Sequence, residues 1–173
     1  MTQMQVQAER LRQVDPANVE RAMRAMLSLG SYQAHSGLEP SLLELVKLRA
    51  SQINGCAYCL DMHTKDARAR GESEQRIYLL DAWRESPFYS ARERAALGWT
   101  EAVTLVAETR VPDAVYEEAR QQFSDDELLA LTMAVVTINA FTRLNVALRT
   151  VPGSYQPGIF DGGARDVTVA AAD

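Results

Sequence analysis

Residues 44–72 read "ELVKLRASQINGCAYCLDMHTKDARARGE" and contain both cysteines of the 173-residue chain and one of its two histidines. The Asn54-Gly55 pair in the middle is a break signal, and Gly71 near the end is a helix-stop signal. We therefore predict two helices here, one ending before the break and one running from Cys56 to about residue 70. Both cysteines then lie at the start of the second helix.

Helix-start signals recur along the rest of the chain. Asp15 before Pro16 is an N-cap followed by proline at the first helical position. Ser90 and Ser124 each precede a glutamate by three residues, which is the capping-box pattern, and they open long helices predicted to reach about residues 109 and 149. Further helices are predicted from about residues 40, 73 and 113. Because no stretch alternates with the period of two typical of a strand, the predicted fold is an all-α, single-domain bundle of about six to seven helices.

Length and charge limit the classes of protein this chain can belong to. A length of 173 residues suits one domain with a single core. A net charge of −5 and a pI near 5.1 argue against nucleic acid or an anionic membrane surface as a partner. No segment approaches the ~18 consecutive apolar residues of a membrane helix, and the N-terminus lacks the apolar core of a secretory signal. We therefore expect a cytoplasmic protein, in a compartment where thiols are normally reduced.

The predicted helical domain covers residues 16–151. Residues 1–15 form an N-terminal extension. Residues 152–173 contain two prolines and four glycines, so we predict a loose or partner-dependent tail there.

The two cysteines and a histidine share one face of the second helix. Cys56, Cys59 and His63 stand at i, i+3 and i+7, within an arc of roughly 60°. Helical residues three apart are ~5–6 Å from one another, which is within the range of a disulfide. Placement at a helix N-terminus can lower a thiol pKa from ~8.5 to roughly 3.5–7.5, and His63 is one turn away from Cys59 to exchange a proton. The pattern favours reversible thiol chemistry.

Two other interpretations of the cluster remain open at the level of the residues. The cysteines can be small core residues that happen to be neighbours. Cys56, Cys59 and His63 are also good zinc ligands, although all three lie on one helix and the chain has no second cysteine pair. A c-type haem site needs histidine directly after the second cysteine, where this chain has Leu60.

Residues 44–72 resemble the alkylhydroperoxidase D core of the carboxymuconolactone decarboxylase-like superfamily. That core has a glutamate, a CxxC pair beginning twelve residues later, and a histidine four residues after the second cysteine. Glu44, Cys56, Cys59 and His63 match all three spacings. The segments "ARERAALGWTEAVTLV" and "TINAFTRLNVALR" also resemble later helices of single-core members, so the resemblance covers roughly residues 16–151.

The resemblance implies an all-helical protein that reduces hydroperoxides through a cycling cysteine pair. Cys59 is then the peroxidatic thiolate and Cys56 the resolving thiol. His63 and Glu44 form the proton relay. Tyr58 stands where the best-studied peroxidases of the family have a histidine, which gives it a supporting position between the cysteines. The resemblance also implies a homo-oligomer, with a hexamer favoured and a trimer or dimer as alternatives.

Two charged residues of the preceding helix give different signals. By periodicity alone, Glu44 lies opposite the apolar stripe, and the pattern indicates a solvated residue paired with Lys47. Arg49 falls inside the apolar stripe, so we expect an acidic partner within the fold or across a subunit boundary. Three polar residues interrupt the last long helix and can line a site, an interface or an outward face. They are Asn139, Arg143 and Asn145.

The sequence favours a thiol-dependent hydroperoxide reductase and leaves two competing functions. One is an enzyme like the carboxymuconolactone decarboxylases, which do not depend on a CxxC pair. The other is a non-enzymatic redox sensor or scaffold that uses the same disulfide. The chain has neither a Gly-rich phosphate loop nor a dinucleotide fingerprint, so no cofactor is predicted and the electrons are expected from an unidentified thiol or protein donor.

Overall fold

The structure, a computed structural model, describes residues 8–158, apart from the side chains of residues 31, 33 and 34. Every element of regular secondary structure in that range is a helix, as predicted. The α-helices are α1 (Pro16–Ala34), α2 (Pro40–Ile53), α3 (Ala57–Ala69), α4 (Glu74–Leu79), α5 (Ala91–Thr104), α6 (Val106–Thr109), α7 (Asp113–Arg120) and α8 (Asp125–Leu148). Short 3₁₀ turns occupy Glu9–Leu11 and Leu80–Ala82.

The predicted helix starts are confirmed where side chains cap them. The capping boxes of Ser90 and Ser124 are both formed, and Asp15 accepts a hydrogen bond from the Ala17 N–H at 3.0 Å. One predicted helix is divided into α5 and α6, so the described residues have eight α-helices instead of six to seven. The hydroxyl of Thr109 donates to the Ala102 carbonyl at 2.7 Å, an acceptor that an unbroken helix would pair with residue 106.

Helix α2 lies at the centre of the fold. It packs against α3 and α5 and against the middle of α8, and its side chains contribute to two hydrophobic clusters. Leu45, Val46 and Leu48 are at most 1% exposed. Because α2 is enclosed on several sides, the face that carries Glu44 is covered by a neighbouring helix.

The acidic partners of Arg49 lie within the fold, which is one of the two arrangements expected from the sequence; the other was a partner across a subunit boundary. Its Nε donates to Glu101 Oε1 at 2.8 Å, and its Nη1 pairs with Asp81. The Glu101 carboxylate also accepts the Trp83 indole N–H at 2.8 Å. Burial alone would raise the pKa of Glu101, but the bonds from Trp83, Arg84 and Arg49 outweigh it and lower that pKa. The pair ties α2 to α5.

We expect Arg49→Met to lower the free energy of unfolding by about 2 kcal/mol, because it leaves Glu101 largely buried with one cation fewer. Chemical unfolding measures this loss. Asp81→Asn is the matched control, since Asp81 is 77% exposed and its removal should cost less than about 1 kcal/mol. Equal stability of Arg49→Met and the wild type would show that the buried pair does not stabilise the fold.

Residues 151–158 lie along α3. The Gly153 N–H donates to Asp61 Oδ2 at 2.9 Å, and Lys65 Nζ donates to the Tyr155 carbonyl at 3.1 Å. The Tyr155 phenol is 3% exposed and donates to Asp66 Oδ1 at 2.8 Å. The start of the predicted tail at Pro152 thus contacts the site helix; the rest of the tail and residues 1–7 of the extension lie outside the described residues.

Helix α8 is long and apolar enough, by length and composition alone, to cross a membrane. Half of its most apolar window is buried inside the fold, and the helix packs on α1, α2 and α5. Such burial is typical of the central helix of a helical bundle.

Candidate redox site

The CxxC pair forms the first turn of α3. Cys56 is the N-cap of this helix, and its sulfur accepts the Cys59 N–H at 3.3 Å. Gly55 forms the turn before this N-cap and has φ = +62°, in the left-handed region that residues other than glycine rarely adopt. Cys56 and Cys59 are joined by a disulfide whose Cα atoms are 5.3 Å apart. Both are buried, with Cys59 0% exposed and Cys56 1% exposed.

The surroundings of the disulfide suit a thiolate. The N–H groups of Ala57 and Tyr58, the first two residues of α3, have no acceptor within that helix, and the helix dipole is positive at this end. The Asn145 side-chain amide of α8 donates to the Cys59 sulfur at 3.5 Å. These donors stabilise a negative charge on sulfur when the disulfide is reduced. The sequence left the role of Asn145 open, and the structure places it against the pair.

Glu44 of α2 and His63 of α3 form a buried pair, and His63 lies one helical turn beyond Cys59. Glu44 Oε2 lies 3.0 Å from His63 Nδ1, and its Oε1 accepts from Lys47 Nζ at 2.9 Å. Glu44 is 4% exposed and His63 is 6% exposed. The interpretation of Glu44 as solvated, drawn from periodicity, is wrong because α3 covers that face of α2. Its predicted pairing with Lys47 is confirmed.

The Glu44 carboxylate is ionised across a wide pH range. Burial alone would raise its pKa, but the hydrogen bonds and charges of His63 and Lys47 outweigh burial and lower the pKa to about 2. Glu44 therefore acts as a fixed negative charge that orients the His63 imidazole.

The lowered pKa of Glu44 makes stability depend on pH in acid. In the unfolded chain Glu44 has an ordinary pKa of 4.5. Below that pH the unfolded chain therefore binds a proton at Glu44, whereas the folded protein leaves Glu44 ionised. The stabilisation is complete above pH 4.5 and is lost as the pH falls toward about 2. We expect the stability difference between wild type and Glu44→Gln to shrink by about 3 kcal/mol over this interval. Urea unfolding at several pH values measures it; a difference independent of pH would contradict the assignment.

Asp66 extends the buried pair toward the C-terminal segment. One ligand-type atom from each of Glu44, His63 and Asp66 lies within 4.8 Å of the other two. Both Glu44 oxygens are already bonded to His63 and Lys47, and Asp66 accepts the Tyr155 phenol. Burial and the charge of Glu44 raise the pKa of Asp66. Glu44, His63 and Asp66 thus form one polar cluster, and the two cysteines considered from the sequence as zinc ligands are joined to one another in this structure.

Two hollows, each of about 110 Å³, reach the site from different sides. One borders Cys56 and is lined in part by Tyr58, Asn145 and Arg149. The other borders Glu44 and is lined in part by Arg70 and by other residues at the end of α3.

The structure brings four of the five sequence-predicted residues into one continuous site. Cys56, Cys59 and His63 follow each other along α3, and Glu44 reaches His63 from α2. Tyr58 lies apart from the Glu44–His63 pair, on the hollow beside Cys56, where burial and Asp61 raise its phenol pKa. The sequence analysis did not identify Asp66 or Tyr155 as parts of the site. The position of Asp66, three residues after His63 on the same helical face, was a weak signal, and no feature of the sequence distinguished Tyr155.

Fold and site together define an all-α protein with a CxxC disulfide at the N-terminus of a central helix. The model of the carboxymuconolactone decarboxylase family matches residues 20–102. A Bacillus subtilis protein, the uncharacterized protein YdfG, is 43% identical over 126 residues, which are 73% of this chain and 86% of the relative. Alkyl hydroperoxide reductase AhpD of Acidobacterium capsulatum is 40% identical over 55 residues, which are 32% of this chain and 30% of the relative.

A solved structure covers most of the domain. A protein of unknown function from Agrobacterium tumefaciens, provisionally named an antioxidant defence protein AhpD, is 48% identical with a TM-score of 0.73. The match covers 79% of this chain and 90% of that one. The chain belongs to the carboxymuconolactone decarboxylase family, as an AhpD-like member.

Proposed function

We propose that this protein is a thiol-dependent peroxidase that reduces hydroperoxides through Cys59 and the Cys56–Cys59 disulfide. The observation that carries the proposal is the disulfide at the N-terminus of α3 with the buried Glu44–His63 pair one turn beyond it. A disulfide that closes a single helical turn adds little to a fold, because it spans three residues that the helix already orders. Its setting suits reactivity better than a structural role.

The oxidative half of the cycle forms and breaks one bond at each step. The Cys59 thiolate attacks the outer oxygen of the hydroperoxide, the O–O bond breaks, and the leaving alkoxide takes a proton from His63. Cys59 is then a sulfenic acid. The Cys56 thiolate attacks its sulfur, the S–O bond breaks, and the oxygen leaves as water with a proton from the relay. Glu44 holds His63 in position through both steps.

The two competing functions are separated by catalytic turnover. A redox sensor consumes one hydroperoxide per chain and stops, whereas an enzyme continues as long as reductant is supplied. A decarboxylase-like enzyme does not need the cysteine pair. The CxxC pair and the partial match to an alkyl hydroperoxide reductase AhpD both support the peroxidase.

The test measures hydroperoxide consumed per chain in excess dithiothreitol, with an organic hydroperoxide as oxidant. We expect the wild type to consume many equivalents and Cys59→Ser to consume none above the uncatalysed background. Consumption that stops at one equivalent would favour the sensor. Equal consumption by wild type and Cys59→Ser would refute a peroxidase based on this thiol.

We also propose that the chain assembles with copies of itself in the cytoplasm. Helix α8 carries an apolar stripe at i, i+4, i+7 and i+11, and the members of this stripe are partly or fully exposed. The stripe consists of Leu129, Met133, Val136 and Ala140. A hexamer is the favoured assembly, and a trimer or dimer is the alternative. Light scattering on the purified protein gives the mass, and a monomer at micromolar concentration would contradict this.

A further inference from the structure

The hollow beside the disulfide is lined by Cys56 and not by Cys59. Cys56 lines it together with Tyr58, Asn145, Arg149 and the following residue, Thr150, whereas Cys59 is 0% exposed and faces Asn145. A reactant that enters the oxidised protein from this side therefore meets Cys56. Attack at Cys56 makes Cys59 the leaving group, and Cys59 is the sulfur that receives the Asn145 amide.

The walls of this hollow favour a negative charge, although the whole chain is acidic. The N–H groups of Ala57 and Tyr58 open α3, a helix of 13 residues, at its positive end. Arg149, an exposed residue, also lines the hollow, and no carboxylate in the described part of the chain pairs with it. Its backbone has φ = 58°, in the left-handed region where glycine is the usual residue after a helix. An arginine there costs stability that a glycine would not.

Thr150 gives an independent indication of a ligand. It lines the same hollow and is 8% exposed. Among residues 8–158, its hydroxyl is the one buried side-chain oxygen or nitrogen without a hydrogen-bond partner. A buried hydroxyl left without a partner is costly, and such groups in folded proteins are usually satisfied. A bound carboxylate would supply the missing acceptor.

We propose that this hollow is the docking site for the reducing thiol, and that it recognises a carboxylate carried by that thiol. Arg149, the free N–H groups at the start of α3 and the Thr150 hydroxyl hold the carboxylate, with the sulfur of the reductant directed at Cys56. A hollow of about 110 Å³ holds a carboxylate and its short stem. The inference rests on the proposed thiol cycle and specifies the chemical class of its electron donor.

The reductive half-reaction balances with two thiols of the donor. The first thiolate attacks Cys56, the Cys56–Cys59 bond breaks, and the electron pair leaves on Cys59, where Asn145 donates to it. A second thiol then attacks the donor sulfur of the mixed disulfide. Cys56 leaves as a thiolate and takes up a proton, and the donor is released as its own disulfide. Overall, one protein disulfide is reduced and two donor thiols are oxidised.

The experiment compares 3-mercaptopropionate with its neutral amide, 3-mercaptopropionamide, as reductants of the oxidised protein. Rates of thiol appearance are divided by the thiolate fraction of each reagent. We expect the carboxylated thiol to react about tenfold faster with wild type, the gain from one charge-assisted hydrogen bond. Arg149→Gly should bring the ratio of the two rates close to one while the melting temperature is unchanged or higher. Thr150→Val should lower the ratio by about threefold.

The matched control is Arg110→Gly. Arg110 is the other exposed arginine with a left-handed backbone after a helix, with φ = 57°, and it lies outside the hollow. Its replacement should leave the wild-type ratio intact. Equal rates for the two thiols with wild type, or a preference that survives Arg149→Gly, would overturn the proposal.

A second arm separates the reductant from the peroxide as the source of the carboxylate. The reduced protein is oxidised with a carboxylated hydroperoxide and with its methyl ester. A carboxylate preference in this arm alone would overturn the assignment of the site to the reductant. Reduction of the disulfide by thiols does not require peroxidase activity, so this proposal and the proposed function can fail separately.

Discussion

Replacing His63 by asparagine is expected to slow oxidation of the reduced protein by hydroperoxide about 1,000-fold. A positioned acid or base contributes roughly 10²–10⁴-fold, and in the proposed cycle His63 both activates the Cys59 thiol and protonates the alkoxide. Asparagine retains a polar group beside Glu44 but cannot carry a proton. The loss of free thiols, followed by rapid mixing with an organic hydroperoxide from pH 5 to pH 9, measures the effect.

The control for this prediction is the chain's other histidine. His35 is exposed and follows the end of α1, so His35→Asn should react at the wild-type rate. Glu44→Gln should be slower than wild type by about tenfold, because the amide can hydrogen-bond His63 but lacks the carboxylate charge that orients it. A His63→Asn variant that is oxidised as fast as His35→Asn would remove the relay from the mechanism.

Replacing Cys56 by serine is expected to abolish turnover while preserving the first chemical step. Without the resolving thiol, Cys59 is oxidised once and remains a sulfenic acid, so steady-state peroxide consumption falls by at least about 1,000-fold. The sulfenic acid is detected by trapping with dimedone followed by peptide mass spectrometry. Asn145, which contacts the Cys59 sulfur, is unchanged in this variant.

The reverse variant decides between the two cysteines. Cys59→Ser should give no sulfenic acid on exposure to one equivalent of hydroperoxide. Cys56 lines the hollow and Cys59 does not, so a sulfenic acid trapped at Cys56 in Cys59→Ser, with none at Cys59 in Cys56→Ser, would exchange the roles of the two thiols. The proposed cycle requires the first pattern.

Local signals in the sequence were sufficient for most of the helices. The capping boxes at Ser90 and Ser124 depend on groups within four residues of each other, so the chain carries the information without reference to the fold. The division between α5 and α6 was missed, and the bond that accompanies it joins the Thr109 hydroxyl to a carbonyl seven residues back. Threonine is common in continuous helices, and its presence alone does not predict a break.

Glu44 shows the limit of periodicity. A helical wheel records which side chains are apolar, and it assigns a charged residue opposite the apolar stripe to water. A glutamate buried against His63, which lies 19 residues away, has the same pattern as an exposed one. Only the spacing shared with the family pointed to the site, and the structure places the pair in contact. The contribution of both residues to catalysis remains a prediction.

Contacts between distant segments were beyond the sequence. Asn145 lies 86 residues from Cys59, and Tyr155 lies 89 residues from Asp66. No local rule brings the end of α8 to the start of α3. The left-handed backbone of Arg149 was equally hidden, because glycine is the residue that predicts such a conformation.

The most direct test of the thiol cycle counts free thiols on the fully reduced wild-type protein before and after one equivalent of an organic hydroperoxide. Peptide mass spectrometry then locates any new bond. The account predicts that two thiols per chain disappear rapidly and are recovered as a Cys56–Cys59 disulfide. Two thiols that persist through the treatment would contradict the peroxidase, and the decarboxylase-like alternative would then be tested.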